Sequence, residues 1–381
     1  MITIFWLSIC LILYAYAGYP LLLWLITSIS GKRMGDKTPD VKEFTSPVTL
    51  LISAYNEEQV IEKKILNSLS LDYPKDMLDI VVVSDASSDG TDQIVKQYSE
   101  HGVTLKRFDG RIGKTECLNR AVPEARSDII IFSDANSLYD VKAVRELVNH
   151  FRNPEIGLAT GCTKYISSLT GELTAEPIGL YSRLEHLTKR LESCMGSCVG
   201  ADGAIFAIRK KLYAALKPTD INDLVIPFTI IEQGYRGIFE ENAFCLEPAA
   251  KNMDREFDRQ VRIANRTIRA IVNHAKLLNP FKFGIFSFEL FSHKICKLLV
   301  PLFMFLCLTV NLFISSRSVL YAALLMGQAF FYVLAFFRMP FKGLSSLISV
   351  PKTFAVTNYA IALGWLKYFR GETFTTWGTS R

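Results

Sequence analysis

The first segment of this 381-residue chain lacks charge: residues 2–26, ITIFWLSICLILYAYAGYPLLLWLI, contain no Asp, Glu, Lys or Arg. The run exceeds the roughly 20 apolar residues that cross a bilayer as a helix. No basic segment precedes it and no Ala-x-Ala-like cleavage site follows it, which argues against a cleaved signal peptide. We therefore expect a retained N-terminal transmembrane helix over residues 1–28.

Internal repeats and low-complexity tracts are also absent, which excludes solenoid and fibrous architectures. Cys194 and Cys198 are four residues apart, but no second cysteine pair has zinc-site spacing. The formal net charge is only +6, and much of the excess lies beside apolar segments, so nucleic acid is not an expected partner. The cysteines are expected to be buried, reduced thiols.

Long apolar runs return near the C-terminus, at 298–314 and 319–337. A third stretch, 344–366, contains Lys352 and Asn358, so spanning, interfacial and re-entrant arrangements all stay open for it. We expect two or three C-terminal membrane helices over residues 297–370, followed by a tail over 371–381.

Basic residues follow the first apolar segment, at Lys32, Arg33 and Lys37, whereas only Met1 precedes it. By the positive-inside rule, the N-terminus lies outside and the middle region lies in the cytoplasm. The sequence thus predicts a multi-pass protein of the inner (plasma) membrane.

Four apolar, β-branched runs alternate with helix-like stretches in the middle region. We predict strands at 48–53, 79–84, 103–108 and 128–132, and helices at 57–69, 91–100 and 115–125. Continuous apolar strands separated by helices indicate a parallel α/β sheet covered on both faces. Ligands of such sheets bind beyond the carboxyl ends of the strands.

Polar clusters stand at those strand ends. They are Ala-Tyr-Asn-Glu-Glu (54–58), Asp-Ala-Ser-Ser-Asp-Gly-Thr (85–91), Gly-Arg-Ile-Gly-Lys (110–114) and Asp-Ala-Asn (134–136). Each cluster alone is also a good turn or helix start. Four in succession predict a shared ligand site.

An ordered set of motifs resembles those of the inverting family 2 glycosyltransferases. The set comprises Ile-Ser-Ala-Tyr-Asn-Glu-Glu (52–58), Val-Ser-Asp-Ala-Ser-Ser-Asp-Gly-Thr (83–91), Gly-Lys-Thr-Glu-Cys-Leu-Asn (113–119), Phe-Ser-Asp-Ala-Asn (132–136), Gly-Ala-Asp-Gly-Ala-Ile-Phe-Ala-Ile-Arg (200–209) and Asn-Asp-Leu-Val-Ile-Pro (222–227). The resemblance covers roughly residues 46–270 and is to the polysaccharide-synthesising branch, with its hyaluronan, cellulose and chitin synthase-like catalytic domains. It implies a cytoplasmic GT-A-type domain over 46–252, with a mixed, mostly parallel sheet.

The resemblance also implies roles for single residues on the donor side. Ala54, Tyr55, Glu57 and Asp85 correspond to the pocket for the nucleotide base and ribose. Lys114 corresponds to a lysine near the nucleotide, and a solvated helix-start lysine is its structural alternative.

Further roles follow from the same resemblance for the metal, the base and the acceptor. Asp134 and Asn136 match the Asp-x-Asp metal position, which would hold Mg²⁺ or Mn²⁺. Asp223 matches the catalytic base. Asp202 and Gly203 match the acceptor or sugar side, although an Asx turn also explains Asp202.

A basic stripe runs through residues 254–278. Arg255, Arg259, Arg262, Arg266 and Arg269 are spaced 4, 3, 4 and 3 residues apart, and apolar residues follow the same rhythm two positions later. This pattern predicts an amphipathic helix, within interfacial helices over 253–296. We expect Arg259 and Arg262 to face the donor phosphates, and Arg266 and Arg269 to face lipid headgroups.

The sequence thus predicts a membrane-bound inverting glycosyltransferase. It would move a sugar from a nucleoside diphosphate donor, UDP by resemblance, to a lipid-linked or growing saccharide in cell-surface polysaccharide synthesis. A processive synthase that extrudes its polymer is the alternative, but Ile263 replaces the tryptophan of the processive Gln/Arg-x-x-Arg-Trp signature. A non-catalytic nucleotide-binding scaffold is a remote alternative, suggested by Asn136. Membrane lipids are expected partners, and oligomers are compatible with the sequence.

Overall fold

The structure is a computed structural model, and it describes residues 1–30, 44–166, 177–248, 253–336 and 345–374. The chain forms two compact units. The helical unit comprises residues 1–26, 175–184 and 252–373, and the sheet unit comprises residues 27–174, 185–251 and 374–381.

An eight-stranded sheet forms the centre of the sheet unit. Its strands are β1 Val48–Ala54, β2 Leu78–Asp85, β3 Val103–Phe108, β4 Ile129–Asp134, β5 Leu138–Tyr139, β6 Ile156–Ile166, β7 Ile205–Arg209 and β8 Arg236–Pro248. Their order across the sheet is β3-β2-β1-β4-β7-β6-β8-β5.

The first four strands are parallel, as their sequences predict. β1 lies between β2 and β4, with Ala54 opposite Ser84 on one side and Ser53 opposite Asp134 on the other. All residues of β1 except Ser53 are buried, which explains its continuous apolar sequence. Because these strands run in one direction, their carboxyl ends meet at one edge of the sheet.

The remaining strands make the sheet mixed. β7 pairs antiparallel with both β4 and β6, and β5 pairs antiparallel with β8, whereas β6 and β8 are parallel. Gly161 permits the close approach of β8 to β6, since a Cβ atom there would lie 2.1 Å from the carbonyl oxygen of Ala243.

Helices of the sheet unit connect and cover the strands. They are α3 Ile61–Leu69, α4 Thr91–Gln97, α5 Lys114–Glu124, α6 Ala143–Asn149 and α8 Asn222–Glu232, with 3-10 turns at Lys75–Met77, Ser99–His101, His150–Arg152 and Lys210–Leu212. Helix α7, Pro177–Met195, begins in the helical unit and enters the sheet unit at Glu185.

The helical unit contains the apolar N- and C-terminal segments. Its helices are α1 Ile2–Leu13, α2 Tyr19–Ile29, α9 Met253–Asn273, α10 Pro280–Phe283, α11 Ile285–Leu290, α12 Cys296–Ile314, α13 Val319–Phe336 and α14 Ser345–Phe369, with π-helical turns at Tyr14–Gly18 and Phe291–Ile295 and 3-10 turns at Ala275–Leu278 and Ser315–Arg317. Two continuous described helices, Ile2–Ile29 and Ile285–Arg317, are long and apolar enough to cross a membrane, and Val319–Ala335 is shorter.

The predicted amphipathic helix is α9, and its apolar face packs against α14. Gly364 of α14 lies directly on α9, where a Cβ atom would be 2.7 Å from the Cβ of Ala264. The rings of Phe257 and Tyr359 stack at 5.7 Å.

Candidate active site

The loops that follow β1 and β2 are joined to each other. The Oδ1 atom of Asn56 accepts a hydrogen bond from the Ser88 backbone N–H at 2.8 Å. The Glu57 backbone N–H donates to the hydroxyl of Thr91, also at 2.8 Å. Asn56 adopts a positive φ of 52°. Two of the motifs predicted from sequence therefore form a single polar edge.

Asp85 is the most enclosed acid of this edge, with no exposed surface. Its two carboxylate oxygens lie 3.2 and 3.1 Å from the backbone N–H donor of Gly113. The Arg111 guanidinium lies 3.8 Å from the same carboxylate. The loop between β3 and α5 is thus held against the end of β2, because an ionised carboxylate can accept several hydrogen bonds.

Arg111 connects two residues that the sequence predicts to bind the donor. Its guanidinium carbon lies 3.2 Å from the centroid of the Tyr55 ring, in addition to its ion pair with Asp85. Its φ is 51°, a conformation that non-glycine residues rarely adopt. The sequence argument gave Arg111 no role, although a cation between two glycines beside a phosphate-facing lysine was an available signal.

Lys114 begins α5 and pairs with Asp134 at the end of β4. Both side chains are partly accessible, with exposed fractions of 20% and 38%. The Lys114 ammonium thus contacts the predicted metal-position carboxylate, and its contact with the nucleotide stays a prediction. The contacts from Tyr55 through Arg111, Asp85 and Gly113 to Lys114 and Asp134 form one continuous chain.

Asp134 ends β4, Asn136 lies in the turn that follows, and both are half-buried. Within the described residues, no group of three or more His, Cys, Asp or Glu side chains could hold a metal ion. One carboxylate and one amide oxygen fit Mg²⁺, which often takes one or two protein carboxylates and completes its shell with substrate phosphates and water. The cationic Lys114 at Asp134 shows that this carboxylate already attracts a positive charge.

Asp223 lies in the first turn of α8 and faces the predicted acceptor turn. Its backbone carbonyl accepts the Ala201 N–H at 2.7 Å. A Cβ atom on Gly203 would lie 3.1 Å from an Asp223 carboxylate oxygen, so a larger residue there would crowd the Asp223 side chain. The structure therefore brings Asp223 and Gly203 together.

Asp202 makes the contacts of an Asx turn. Its carboxylate accepts the N–H of Thr163 at 2.8 Å, the hydroxyl of Thr163 at 3.0 Å and the N–H of Ala204 at 3.1 Å. Burial alone would lower the pKa of nearby Lys189, but the carboxylates of Glu185 and Asp202 raise it above its usual value. The structure gives Asp202 a turn-forming role, and its acceptor role stays a prediction.

Asn119 links the donor side to the segment that leads into α8. Its Nδ2 donates to the carbonyl of Leu216 at 2.8 Å, and its Oδ1 accepts the N–H of Leu216 at 2.9 Å and the hydroxyl of Tyr213 at 2.9 Å. Helix α5 therefore carries Lys114 at its first residue and fixes this segment from its second turn.

The arginine stripe lies on α9, in the helical unit. Arg259 pairs with Glu256, while burial lowers the pKa of Arg262 below its usual value. Arg269 donates to the carbonyl of Glu372 at 2.7 Å, so at least part of its donor capacity is used within the protein. The expected contacts of Arg259 and Arg262 with donor phosphates, and of Arg266 and Arg269 with lipid, stay predictions.

The sheet unit matches a known family over the region that holds these contacts. Residues 49–216 match the family model of glycosyl transferase family 2. These residues are similar to the family 2 glycosyltransferases. The prediction of this family from the sequence motifs is confirmed, and the match includes Asp85, Lys114, Asp134 and Asp202.

Two similar curated proteins are polysaccharide synthases by name. The poly-β-1,6-N-acetyl-D-glucosamine synthase of Staphylococcus aureus (strain COL) is 28% identical over 222 residues, which are 55% of this chain and 52% of that protein. The protein of the same name from Staphylococcus epidermidis is 26% identical over 210 residues, 52% of this chain and 49% of that protein. The chain thus spans about half the length of the curated relatives it matches.

A solved structure has a similar fold. It is a mannosyltransferase from Pyrobaculum calidifontis in complex with GDP-Man and Mn²⁺, with a TM-score of 0.73 and 22% identity, covering 96% of this chain and 99% of that chain. This similarity, with the mixed sheet, confirms the predicted GT-A-type fold class of the glycosyltransferase domain.

Proposed function

We propose that this protein is a membrane-bound, metal-dependent inverting glycosyltransferase. It moves a sugar from a nucleoside diphosphate donor to a lipid-linked or growing saccharide in cell-surface polysaccharide synthesis. The observation that carries the proposal is the continuous chain of contacts from Tyr55 to Asp134, with Asp223 positioned by Gly203 in the same unit.

The donor half of the site suits a nucleotide with a negatively charged diphosphate. Arg111 covers the Tyr55 ring and the Asp85 carboxylate, so these two groups, next to buried Ala54 and the Glu57 loop, would receive base and ribose once Arg111 moves aside. Lys114 offers an ammonium to phosphate oxygens once its bond to Asp134 yields. UDP is the proposed nucleotide, on the resemblance of the motifs.

Asp134 and Asn136 would hold Mg²⁺ or Mn²⁺ together with the donor phosphates. The ion supplies Lewis-acid neutralisation of the charge that develops on the departing diphosphate. Asp134 ends β4 and Asn136 lies two residues later in the turn, and both oxygens would serve one ion. Binding of the ion is expected to depend on the nucleotide.

Asp223 acts as the general base that takes the proton of the attacking acceptor hydroxyl. Its position in the first turn of α8 places the carboxylate in the positive field of the helix N-terminus, which favours the ionised form. Because one base and no enzyme nucleophile are used, the anomeric configuration of the sugar inverts.

Membrane placement follows from the apolar helices and the basic flank of the first of them. We propose a multi-pass plasma-membrane protein with residues 46–252 in the cytoplasm, an interfacial region over 253–296 and membrane segments over 297–370. The arginines of α9 would then meet anionic lipid headgroups and, at Arg259 and Arg262, the donor phosphates.

A processive synthase is the second candidate, and the names of the two staphylococcal relatives favour it. Ile263 at the tryptophan position of the processive signature opposes it. The two candidates differ in product length: labelled polymer from the isolated protein would support processive synthesis, and single additions would support the first.

The experiment that tests the proposed function is a product screen. Membranes from cells expressing the protein are incubated with labelled nucleotide sugars, Mg²⁺ or Mn²⁺ and extracted lipid acceptors. Transfer of label from at least one nucleotide sugar, abolished by Asp223→Asn, is expected. Absence of transfer from every nucleotide sugar, with both metals, would refute the proposal.

A further inference from the structure

A lysine with almost no exposed surface lies beneath the turn that carries Asp134 and Asn136. Lys64, on α3, is 1% exposed. Its Nζ atom donates to the backbone carbonyl of Ser137 at 2.5 Å and lies 3.9 Å from the centroid of the Tyr139 ring. The ammonium group therefore contacts the last residue of the turn and the short strand that follows it.

Asn67, one helical turn after Lys64, holds the same segment from beside it. Its Nδ2 donates to the carbonyl of Tyr139 at 2.9 Å, and its Oδ1 accepts the Tyr139 N–H at 2.8 Å. The Asn67 carboxamide thus makes the two backbone hydrogen bonds with Tyr139 that a residue of a neighbouring strand would make. Together, Lys64 and Asn67 form what we call the α3 clamp.

The far side of the turn is also fixed by charge. The hydroxyl of Ser137 donates to a carboxylate oxygen of Glu247 on β8. The turn therefore lies between a buried cation on α3 and a carboxylate on β8, while Lys114 contacts Asp134 from the β3–α5 loop.

Burying a lysine is costly. Desolvation lowers the pKa of Lys64 to about 7, although Cys245, Asp134 and Glu247 act in the opposite direction. An apolar side chain of similar length would fill the same space without this cost, since replacing buried charges by hydrophobic residues is often stabilising. Packing alone therefore does not account for a lysine at this position.

We propose that Lys64 is a positioning residue for the metal and diphosphate site. The α3 clamp holds the 134–137 turn so that the oxygens of Asp134 and Asn136 face one ion before the ion and the nucleotide arrive. This role compensates for the neutral Asn136: a site with one carboxylate and one weaker amide ligand depends more on fixed geometry than a two-carboxylate site does. The inference rests on the proposed function of the site.

Four variants separate positioning from packing. Lys64→Met keeps the length and removes the donor; Lys64→Gln keeps an N–H donor without the charge. Asn67→Ala opens the clamp at its other residue. Lys63→Met changes the adjacent, exposed lysine of the same helix and serves as the matched control. Each purified full-length protein is titrated with UDP in saturating Mn²⁺ by calorimetry, and its thermal midpoint is measured.

Positioning predicts that UDP affinity in Mn²⁺ falls about tenfold or more in Lys64→Met and in Asn67→Ala, as for other residues that orient metal ligands. Lys64→Gln is expected to bind UDP more tightly than Lys64→Met, although Met is the better core residue and gives the higher thermal midpoint. A packing role predicts the reverse order of affinities. Lys63→Met is expected to match the wild type in both measurements.

Hydrogen exchange of the backbone amides of residues 134–139, in the absence of nucleotide and metal, tests the clamp without activity. Faster exchange in Lys64→Met than in Lys63→Met is expected; equal exchange together with equal UDP affinity would overturn the inference. If Lys64→Met does not fold, hydrogen exchange and UDP affinity are compared between Asn67→Ala and Lys63→Met instead, with the same two outcomes. If the proposed function itself is wrong, the wild type transfers no sugar. That result is distinct from a failure of the positioning role of Lys64.

Discussion

At the scale of single residues, the cationic side chains of the site connect its other residues to each other. Arg111 joins Tyr55 to Asp85, and Lys114 joins α5 to Asp134. Such pairs hold acidic side chains in place, and under the proposed function they would give way to phosphate oxygens when the donor binds.

A first prediction concerns the metal at this scale. Mn²⁺ is expected to bind weakly to the protein alone and at least about tenfold more tightly with UDP, because phosphate oxygens complete its shell. Asp134→Asn should abolish this gain, and Asp128→Asn, an exposed change immediately before the same strand, should not. Calorimetry measures both. Tight Mn²⁺ binding without nucleotide would contradict the account.

A second prediction concerns the pH dependence of stability. The pKa of Lys64 falls from 10.5 to about 7 on folding because of burial, so the unfolded chain binds more protons between these values. Stability should therefore rise as the pH increases from about 7 toward 10.5, and fall as the pH drops through the folded pKa. Thermal midpoints should depend less on pH in Lys64→Met than in Lys63→Met. Equal dependence in the two variants would show that Lys64 is not the group responsible.

The sequence predicts the acids of the site better than their partners. Asp85 and Asp134 follow apolar strands and are visible as strand-end polar residues. The roles of Lys64 and Asn67 depend on which face of α3 packs against the turn after β4. From the sequence alone, Lys64 cannot be distinguished from its exposed neighbour Lys63. A side chain's direction within a helix becomes known only when the neighbouring strand is placed.

At the scale of elements, the four parallel strands lie close to their predicted positions. α3 begins at Ile61, later than the predicted residue 57, because Val60 has a φ of -132°, outside the helical range, and caps the helix. The antiparallel partners β5 and β7 had no distinctive pattern. Their pairing is set by contacts between residues far apart in the sequence, which periodicity does not report.

A third prediction concerns the packing of α14 on α9. Gly364→Ala would place a Cβ atom 2.7 Å from that of Ala264 and 3.3 Å from the Val261 carbonyl, so a loss of about 1–3 kcal/mol is expected. Gly327→Ala on α13 has no neighbour within 4 Å and should be neutral or stabilising by about 1 kcal/mol, since alanine favours helices. Thermal midpoints in detergent measure the difference; equal midpoints for the two variants would contradict this packing.

At the scale of the whole molecule, the chain combines a sheet unit with a helical unit that contains two helices able by length and composition to cross a membrane. Apolar length in the sequence predicts those segments. A contact between the α9 arginines and the donor phosphates depends on residues far apart in the sequence. The spacing of the arginines along the helix carries no information about such contacts.

A fourth prediction follows from the basic residues after the first apolar segment. With the sheet unit in the cytoplasm, protease added to intact cells or protoplasts should leave residues 46–252 uncut, and should cut them after the membrane is permeabilised. Antibodies against an epitope within this range detect the fragments. Cleavage of that range in intact cells would reverse the proposed topology.

The central claim is glycosyl transfer with Asp223 as the base, and one paired measurement tests it most directly. Transfer of label from the active nucleotide sugar is measured beside UDP binding for wild type, Asp223→Asn and Asp128→Asn. We expect transfer to fall about 10²–10⁴-fold in Asp223→Asn, with UDP binding within about threefold of wild type and Asp128→Asn unchanged. Transfer by Asp223→Asn at the wild-type rate, with UDP bound normally, would contradict the account.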